Sequence, residues 1–174
     1  MNFDNIEIIS PALYPNEQWN EAEVFGARTC IWLLAENCKN TRLSDMATQV
    51  LPMIKSRQFA LFSQNSQPLA YISWANLDAQ SEAKYVSSEP WIYTQSNWNC
   101  GDRMWIINWF APGHSALVKH LLETKLFPHQ CFRALYHKGT QRGMKVMTFK
   151  GKSLTNLDAK NWNIQHPILA VHSE

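Results

Sequence analysis

The side chains that could carry chemistry here are a thiol, an imidazole and an amide, at separate places along the chain. Cys38 lies in a polar break, Cys38-Lys39-Asn40-Thr41. An ionised thiol there could act as a nucleophile, although a cysteine at a helix end equally suits a small packed thiol. His114 follows Pro112-Gly113 and precedes Ser115, which places an imidazole at the head of a helix as a candidate general base or as a plain surface residue. Asn108 lies within Gly-Asp-Arg-Met-Trp-Ile-Ile-Asn-Trp-Phe-Ala-Pro, residues 101–112. An asparagine takes no proton at neutral pH, but it can orient a neighbour or donate to an oxyanion. In so tryptophan-rich a strip it needs a hydrogen-bond partner whatever its role. The other histidines, His120, His129, His137, His166 and His172, show no ligand spacing. Cys30, Cys38, Cys100 and Cys131 form no Cys-x-x-Cys pair, so reduced thiols and no metal site are expected.

Composition narrows the classes. The 174 residues suit one domain, and 45% hydrophobic with 17% charged content gives enough apolar side chain for a core. A formal net charge of +2, with lysine and arginine scattered, argues against a nucleic-acid binder. No stretch approaches the roughly 20 apolar residues of a membrane span. The start, Met1-Asn2-Phe3-Asp4-Asn5, has neither the basic residues nor the apolar run of a signal peptide, so a cytoplasmic protein is expected. Eight tryptophans suit a dense core, an interface or a groove for something apolar.

The elements that must position these groups follow from periodicity. Residues 1–15 suggest an irregular or strand-like arm. Val24, Ala27, Ile31 and Leu34 share a helical face, predicting a helix over 16–37 capped by Asn16. A second helix is expected over 43–56, kinked or ended by Pro52. Strands at 58–64 and 68–75 flank a turn at 65–67. A short helix over 78–86, a packed loop over 87–100 with Trp91, Tyr93 and Trp98, and a strand over 103–110 come next. Ser115 caps a helix to about 125, and strands follow at 131–137 and 145–149. Residues 153–174 are weakly patterned. The order describes an α+β fold, helices on a mixed sheet. On strand 103–110, Trp105, Ile107 and Trp109 share one face, which suits a core or an apolar groove.

Four pieces occur in an order that carries a resemblance. They are Val50-Leu51-Pro52; Tyr71-Ile72-Ser73-Trp74-Ala75-Asn76-Leu77; the strip 101–112; and Phe132-Arg133-Ala134 followed by residues 143–152 with Phe149 and Gly151. Over about residues 22–152 the chain resembles the lysine acyltransferases that activate RTX-type protoxins. The resemblance implies a GNAT-like single domain with a mixed central sheet and helices on both faces. It implies a fatty acyl group taken from acyl carrier protein, with no bound cofactor, and delivered to internal protoxin lysines in the cytoplasm. It also suggests a homodimer. Most GNAT enzymes grip coenzyme A pyrophosphate in a glycine-rich loop at a helix start. Only the fragment Gln141-Arg142-Gly143 is present, which agrees with a carrier-protein donor and disfavours a small-molecule acetyltransferase. Lys119 and Lys125 are candidates to meet an acidic carrier protein.

The chemistry such an enzyme needs is demanding. A lysine with a pKa near ~10.4 is neutral roughly one time in 2,500 at pH 7, a penalty of about 4.6 kcal/mol. The proton must be removed, and the tetrahedral oxyanion stabilised. The family resemblance assigns the proton to a histidine between the first two helices, supported by a strand aspartate. Here the strand position is Asn108, and the loop Glu36-Asn37-Cys38-Lys39-Asn40-Thr41 has no histidine. The histidine's place falls on Asn40 or on Cys38, depending on which helix sets the register. Three outcomes follow: His114 is the relocated base, Cys38 is a nucleophile, or the chain binds protoxin or carrier protein without acyl transfer. Asn108, His114, Cys38 and Asn40 are the candidate catalytic positions. Ser73, which matches the family's strand serine, is with Trp74, Arg103 and Trp109 a candidate substrate contact. Arg103 equally suits a structural pair with Asp102.

Overall fold

Asn20, rather than Asn16, begins the first helix. In the structure, a computed structural model that describes residues 1–3, 5–34, 42–87, 98–138 and 141–168, the Asn20 side chain accepts the Glu23 amide at 3.1 Å. It caps α1 (Glu21–Leu33) with Glu21 and Glu23 in the first turn, where the helix dipole favours them. Residue 16 fails as a start because turns claim the backbone before it. The Leu13 and Tyr14 amides bond to Ser10 and the Glu17 amide to Tyr14. α2 (Leu43–Lys55) runs through Pro52 rather than ending there. The proline forgoes its own bond, yet its carbonyl still accepts the Ser56 amide at 3.0 Å.

Seven strands lie in chain order in one mixed sheet: β1 (Asn2–Phe3), β2 (Ile6–Ile9), β3 (Phe59–Gln64), β4 (Gln67–Leu77), β5 (Arg103–Phe110), β6 (Cys131–Lys138) and β7 (Gln141–Lys150). The N-terminal arm is therefore a hairpin, and β7 is longer than its apolar run suggested. β3 and β4 join through Asn65 and Ser66 at φ 50° and 61°, the left-handed pair that suits a two-residue hairpin. β1–β2, β2–β3, β3–β4 and β6–β7 pair antiparallel, whereas β5 and β6 pair parallel through Trp105↔Arg133 and Ile106↔Ala134. A parallel pair needs a crossover. Here it is α4 (Ser115–Leu121), which loosens into a π-helical turn at Leu122–Leu126. α3 (Ala79–Val86) and α5 (Asn156–Gln165) complete an α+β fold. Among the described residues no helix is long and apolar enough to cross a membrane.

The chain divides into two units. One comprises Met1–Ser73 and Asn108–Lys119, the other Trp74–Ile107 and His120–Glu174. In the first, α1 and α2 close over one sheet face, burying Val24, Ile31, Val50, Ile54, Phe59 and Tyr71. In the second, Trp74 meets Phe127 edge-on at 5.1 Å, and Phe132 stacks on Phe149 at 5.3 Å.

Two glycines of the motif strips owe their place to close backbone approach. A Cβ on Gly101 would stand 2.3 Å from the Leu77 carbonyl oxygen, and one on Gly151 2.1 Å from that of Pro128. Backbone cannot swing aside as a side chain can. Gly151→Ala is therefore expected to cost at least about 1–3 kcal/mol, as overpacking does. A denaturant midpoint within error of the parent would contradict it.

α3 and α5 carry acidic caps. Asp78 accepts the Ser81 amide at 2.7 Å, and this holds its carboxyl below the usual carboxylate range. Thr155 and Asp158 form a reciprocal capping box. The Thr155 hydroxyl, then its amide, likewise hold the Asp158 carboxyl low. A folded-state pKa below the unfolded value stabilises the fold above the unfolded value, near ~3.9, and that contribution is lost as pH falls through the folded one. Melting followed from pH 7 downward should stay level until about pH 4 and then drop. The drop should be shallower in Asp78→Asn.

Candidate functional site

β4 and β5 bring Ser73 and Asn108 together in the first unit. Asn108, half-buried, donates from Nδ2 to Ser73 Oγ at 2.7 Å and to Met53 Sδ at 2.8 Å. Ser73 is 0% exposed and directs its own hydroxyl to Met53 Sδ at 3.7 Å. The two sides arise locally for different reasons. β4 alternation turns Tyr71 and Ser73 to the face that α2 covers, and Met53 lies one turn beyond Val50 on the inner side of α2. Asn108 thereby finds the partner that its burial demands.

The chemistry of this trio is positioning and donation. Neither an amide nor a thioether accepts a proton at neutral pH, so Ser73 has no base among its partners and is not an activated nucleophile. Asn108 spends both amide hydrogens on Ser73 and Met53, which fixes the orientation of the Ser73 hydroxyl.

Arg28 lies in the same unit, 2% exposed, with its guanidinium carbon 4.3 Å from the Trp32 ring centre, 5.0 Å from Phe110 and 5.2 Å from Tyr71. This is an aromatic cage around a cation. Burial pushes the Tyr71 phenol well above its ordinary range, against the opposing pull of Arg28. Neither Arg28 nor Met53 was marked by sequence spacing. Met53 could have been found from its step of three after Val50.

His114 also belongs to the first unit. It is half-exposed in the turn ahead of α4, its amide bonded to Ala111 and its carbonyl to Val118. Trp109 is half-buried one residue beyond Asn108. Cys38 and Asn40 lie outside the described residues, as do Trp91 and Tyr93. Among the described residues, no cluster of histidine, cysteine or carboxylate could hold a metal.

Two of the candidate substrate contacts are placed in the second unit. Trp74 is 3% exposed, in the packing against Phe127. Arg103 belongs to a buried charge cluster centred on Glu82, which is 0% exposed in the first turn of α3. Glu82 Oε2 meets Arg103 Nη1 at 2.6 Å, and Oε1 meets Arg133 Nη1 at 2.6 Å and accepts Trp105 Nε1 at 2.7 Å. The excess positive charge is met by the end of α5. The Pro167 carbonyl accepts from Arg103 at 2.9 Å, and the His166 carbonyl accepts from Arg133. Arg103 therefore partners Glu82 rather than Asp102. Asp102 instead pairs with His166 at 3.1 Å, and that bond holds its carboxyl below the usual range.

The part of the chain that carries Ser73 and Asn108 is also the part shared with known proteins. Residues 17–150 match the model of the RTX toxin acyltransferase family. The leukotoxin-activating lysine-acyltransferase LtxC of Aggregatibacter actinomycetemcomitans is 37% identical over 138 residues, covering 78% of this chain and 80% of that protein. The protein-lysine myristoyltransferase HlyC of Escherichia coli is 35% identical over 150 residues, 83% and 86% of the two chains. The RTX-II toxin-activating lysine-acyltransferase ApxIIC of Actinobacillus pleuropneumoniae is 34% identical over 151 residues, 84% and 92%. With the family model spanning most of its length and relatives this similar over more than three quarters of it, the chain belongs to the RTX toxin acyltransferase family.

Proposed function

We propose that this chain is a toxin-activating lysine acyltransferase that moves a fatty acyl group from acyl carrier protein to internal lysines of an RTX protoxin in the cytoplasm. The observation that carries it is the Ser73–Asn108 hydrogen bond, which lies inside the stretch shared with lysine acyltransferases. In the reaction the lysine nitrogen attacks the thioester carbonyl, the C–S bond breaks, and the amine proton ends on the departing sulfur. Ser73, oriented by Asn108, positions the carbonyl, and Trp109 offers apolar contact to the acyl chain. No member of the Ser73–Asn108–Met53 trio can take the lysine proton. We assign that task to His114, the imidazole that shares their unit. A thiol relay through Cys38 is the alternative route.

The test is transfer from a fatty acyl carrier protein to a purified protoxin fragment, read as free carrier thiol and acylated lysine together. His114→Ala is expected to lower kcat by about 10²–10⁴-fold, the usual contribution of a positioned base. Full activity in His114→Ala would eliminate the base assignment, and loss in Cys38→Ala alone would move it to the thiol. Binding of both proteins without transfer would make the chain a non-catalytic member of its family.

A further inference from the structure

The Asn108 amide has a second arm that orienting Ser73 does not use. Both Nδ2 hydrogens point inward, to Ser73 Oγ at 2.7 Å and to Met53 Sδ at 2.8 Å. Both partners are buried, at 0% and 2% exposed. An amide carries its oxygen on the opposite arm of the same plane, so donors fixed inward turn Oδ1 toward the open side of this half-buried residue. The reverse setting is disfavoured. A flipped amide would set its oxygen against the Met53 sulfur, an acceptor facing an acceptor. Among the described residues Oδ1 takes no hydrogen bond. It is also not one of the buried polar atoms left without a partner, so solvent and substrate reach it. The first unit thus presents one oriented hydrogen-bond acceptor beside Ser73.

The surroundings of that oxygen say what it can hold. β5 alternation puts Phe110 on the same sheet face as Asn108. Phe110 is half-buried, its ring centre 6.1 Å from that of Trp32, and it offers apolar surface to an aliphatic stem. An amide oxygen accepts an N–H but is neutral. A carboxylate at the same place would favour the ammonium form of an amine and withhold its lone pair, whereas a neutral acceptor does not. The arrangement therefore suits a group with an N–H to donate, an apolar stem and a lone pair left free for attack. A neutral primary amine on a methylene chain has all three.

We propose that Asn108 Oδ1 accepts an Nε–H of the substrate lysine, so that Asn108 holds the nucleophile with one arm of its amide and orients Ser73 with the other. This rests on the acyl-transfer reading above. A primary amine brings two N–H bonds. The one held by Asn108 stays on nitrogen in the amide product. The other is lost as the N–C bond forms and the C–S bond breaks, and its proton ends on the departing sulfur. The test uses the full chain and synthetic peptides of a protoxin segment with one internal lysine, made with lysine, norleucine or Nε-trimethyl-lysine at that position. Trimethyl-lysine keeps the charge and the stem but has no N–H. Binding is measured without acyl donor, and acylation of the lysine peptide is followed separately. The lysine peptide should bind about tenfold more tightly than either of the others, the worth of one hydrogen bond. In Asn108→Ala the three should bind alike. Asn108→Asp, which keeps an oxygen in place, should still prefer lysine to norleucine. Ser73→Ala should lower turnover and leave the preference intact, which separates holding the amine from a structural role. Trimethyl-lysine bound as tightly as lysine, a lysine preference that survives Asn108→Ala, or one lost in Asn108→Asp or Ser73→Ala, would overturn the inference, while acylation of the lysine peptide would still uphold the enzyme. A lysine peptide neither bound nor acylated would remove the acyl-transfer reading and this inference together.

Discussion

Glu82→Ala is expected to destabilise the chain by about 3–5 kcal/mol, the usual result of removing one partner from a buried ion pair. At roughly 2–4 °C per kcal/mol for a chain of this size, the thermal midpoint should fall by about 10 °C. The size follows from what is left behind. Glu82 is completely buried and its two oxygens serve Arg103, Arg133 and the Trp105 indole. Without it, two guanidiniums in residues that are 9% and 2% exposed lose their shared carboxylate, and the neighbours named for them, the Pro167 and His166 carbonyls, the Asn163 amide oxygen and the Trp162 ring, carry no full charge. Glu82→Gln keeps an acceptor and the shape, and should fall between the parent and alanine. The loss should be largest in the melting of the second unit, because every partner of Glu82 belongs to it. A change under about 1 kcal/mol, typical of a surface pair, would show that the cluster does not hold the fold.

The second large effect concerns activity. Asn108→Ala is expected to lower kcat for acyl transfer by about 10²-fold, the size seen when a preorganised polar donor is removed from an active site. Asn108 is the donor that sets the direction of the Ser73 hydroxyl. Without it, among the described residues, the Ser73 hydroxyl keeps the distant Met53 sulfur alone, and its orientation is no longer fixed. The stability cost is smaller, about 1–3 kcal/mol for a buried hydroxyl losing its partner, so kcat can be compared on folded protein. Ser73→Ala should reproduce the kinetic loss, and the double variant should be little worse than either single one. Independent, multiplying losses would mean that the two side chains do not act as a unit.

Much of the architecture was legible in periodicity, and the exceptions have physical causes. β3, β4 and β5 begin or end within a few residues of their expected bounds because alternation and the Asn65-Ser66 turn are local signals. α1 started late because turn bonds to Ser10 and Tyr14 held the preceding backbone. α5 was missed altogether. Periodicity finds helices that bury an apolar face, and this one turns its apolar residues outward. The signal that could have found it was Thr155 followed three residues later by Asp158, a capping box.

The candidate site was legible only through resemblance. Ser73 and Asn108 are separated by 35 residues, and no spacing rule joins them. Both stood in strips shared with the family. Glu82 gave no sign of its role, since a glutamate in a first helical turn ordinarily reads as a favourable dipole partner on the surface. Only the tertiary fold, bringing Arg103 and Arg133 to it, makes it the centre of a buried cluster.

The central claim is that this chain modifies lysines, and it is tested most directly by the mass of a protoxin. An RTX protoxin co-expressed with this chain should be digested and analysed by mass spectrometry beside the same protoxin expressed alone. The account predicts internal lysine peptides that gain the mass of a fatty acyl group only when the chain is present, and that lose it with Asn108→Ala. Unmodified lysines in a protoxin that nonetheless co-purifies with the chain would contradict it.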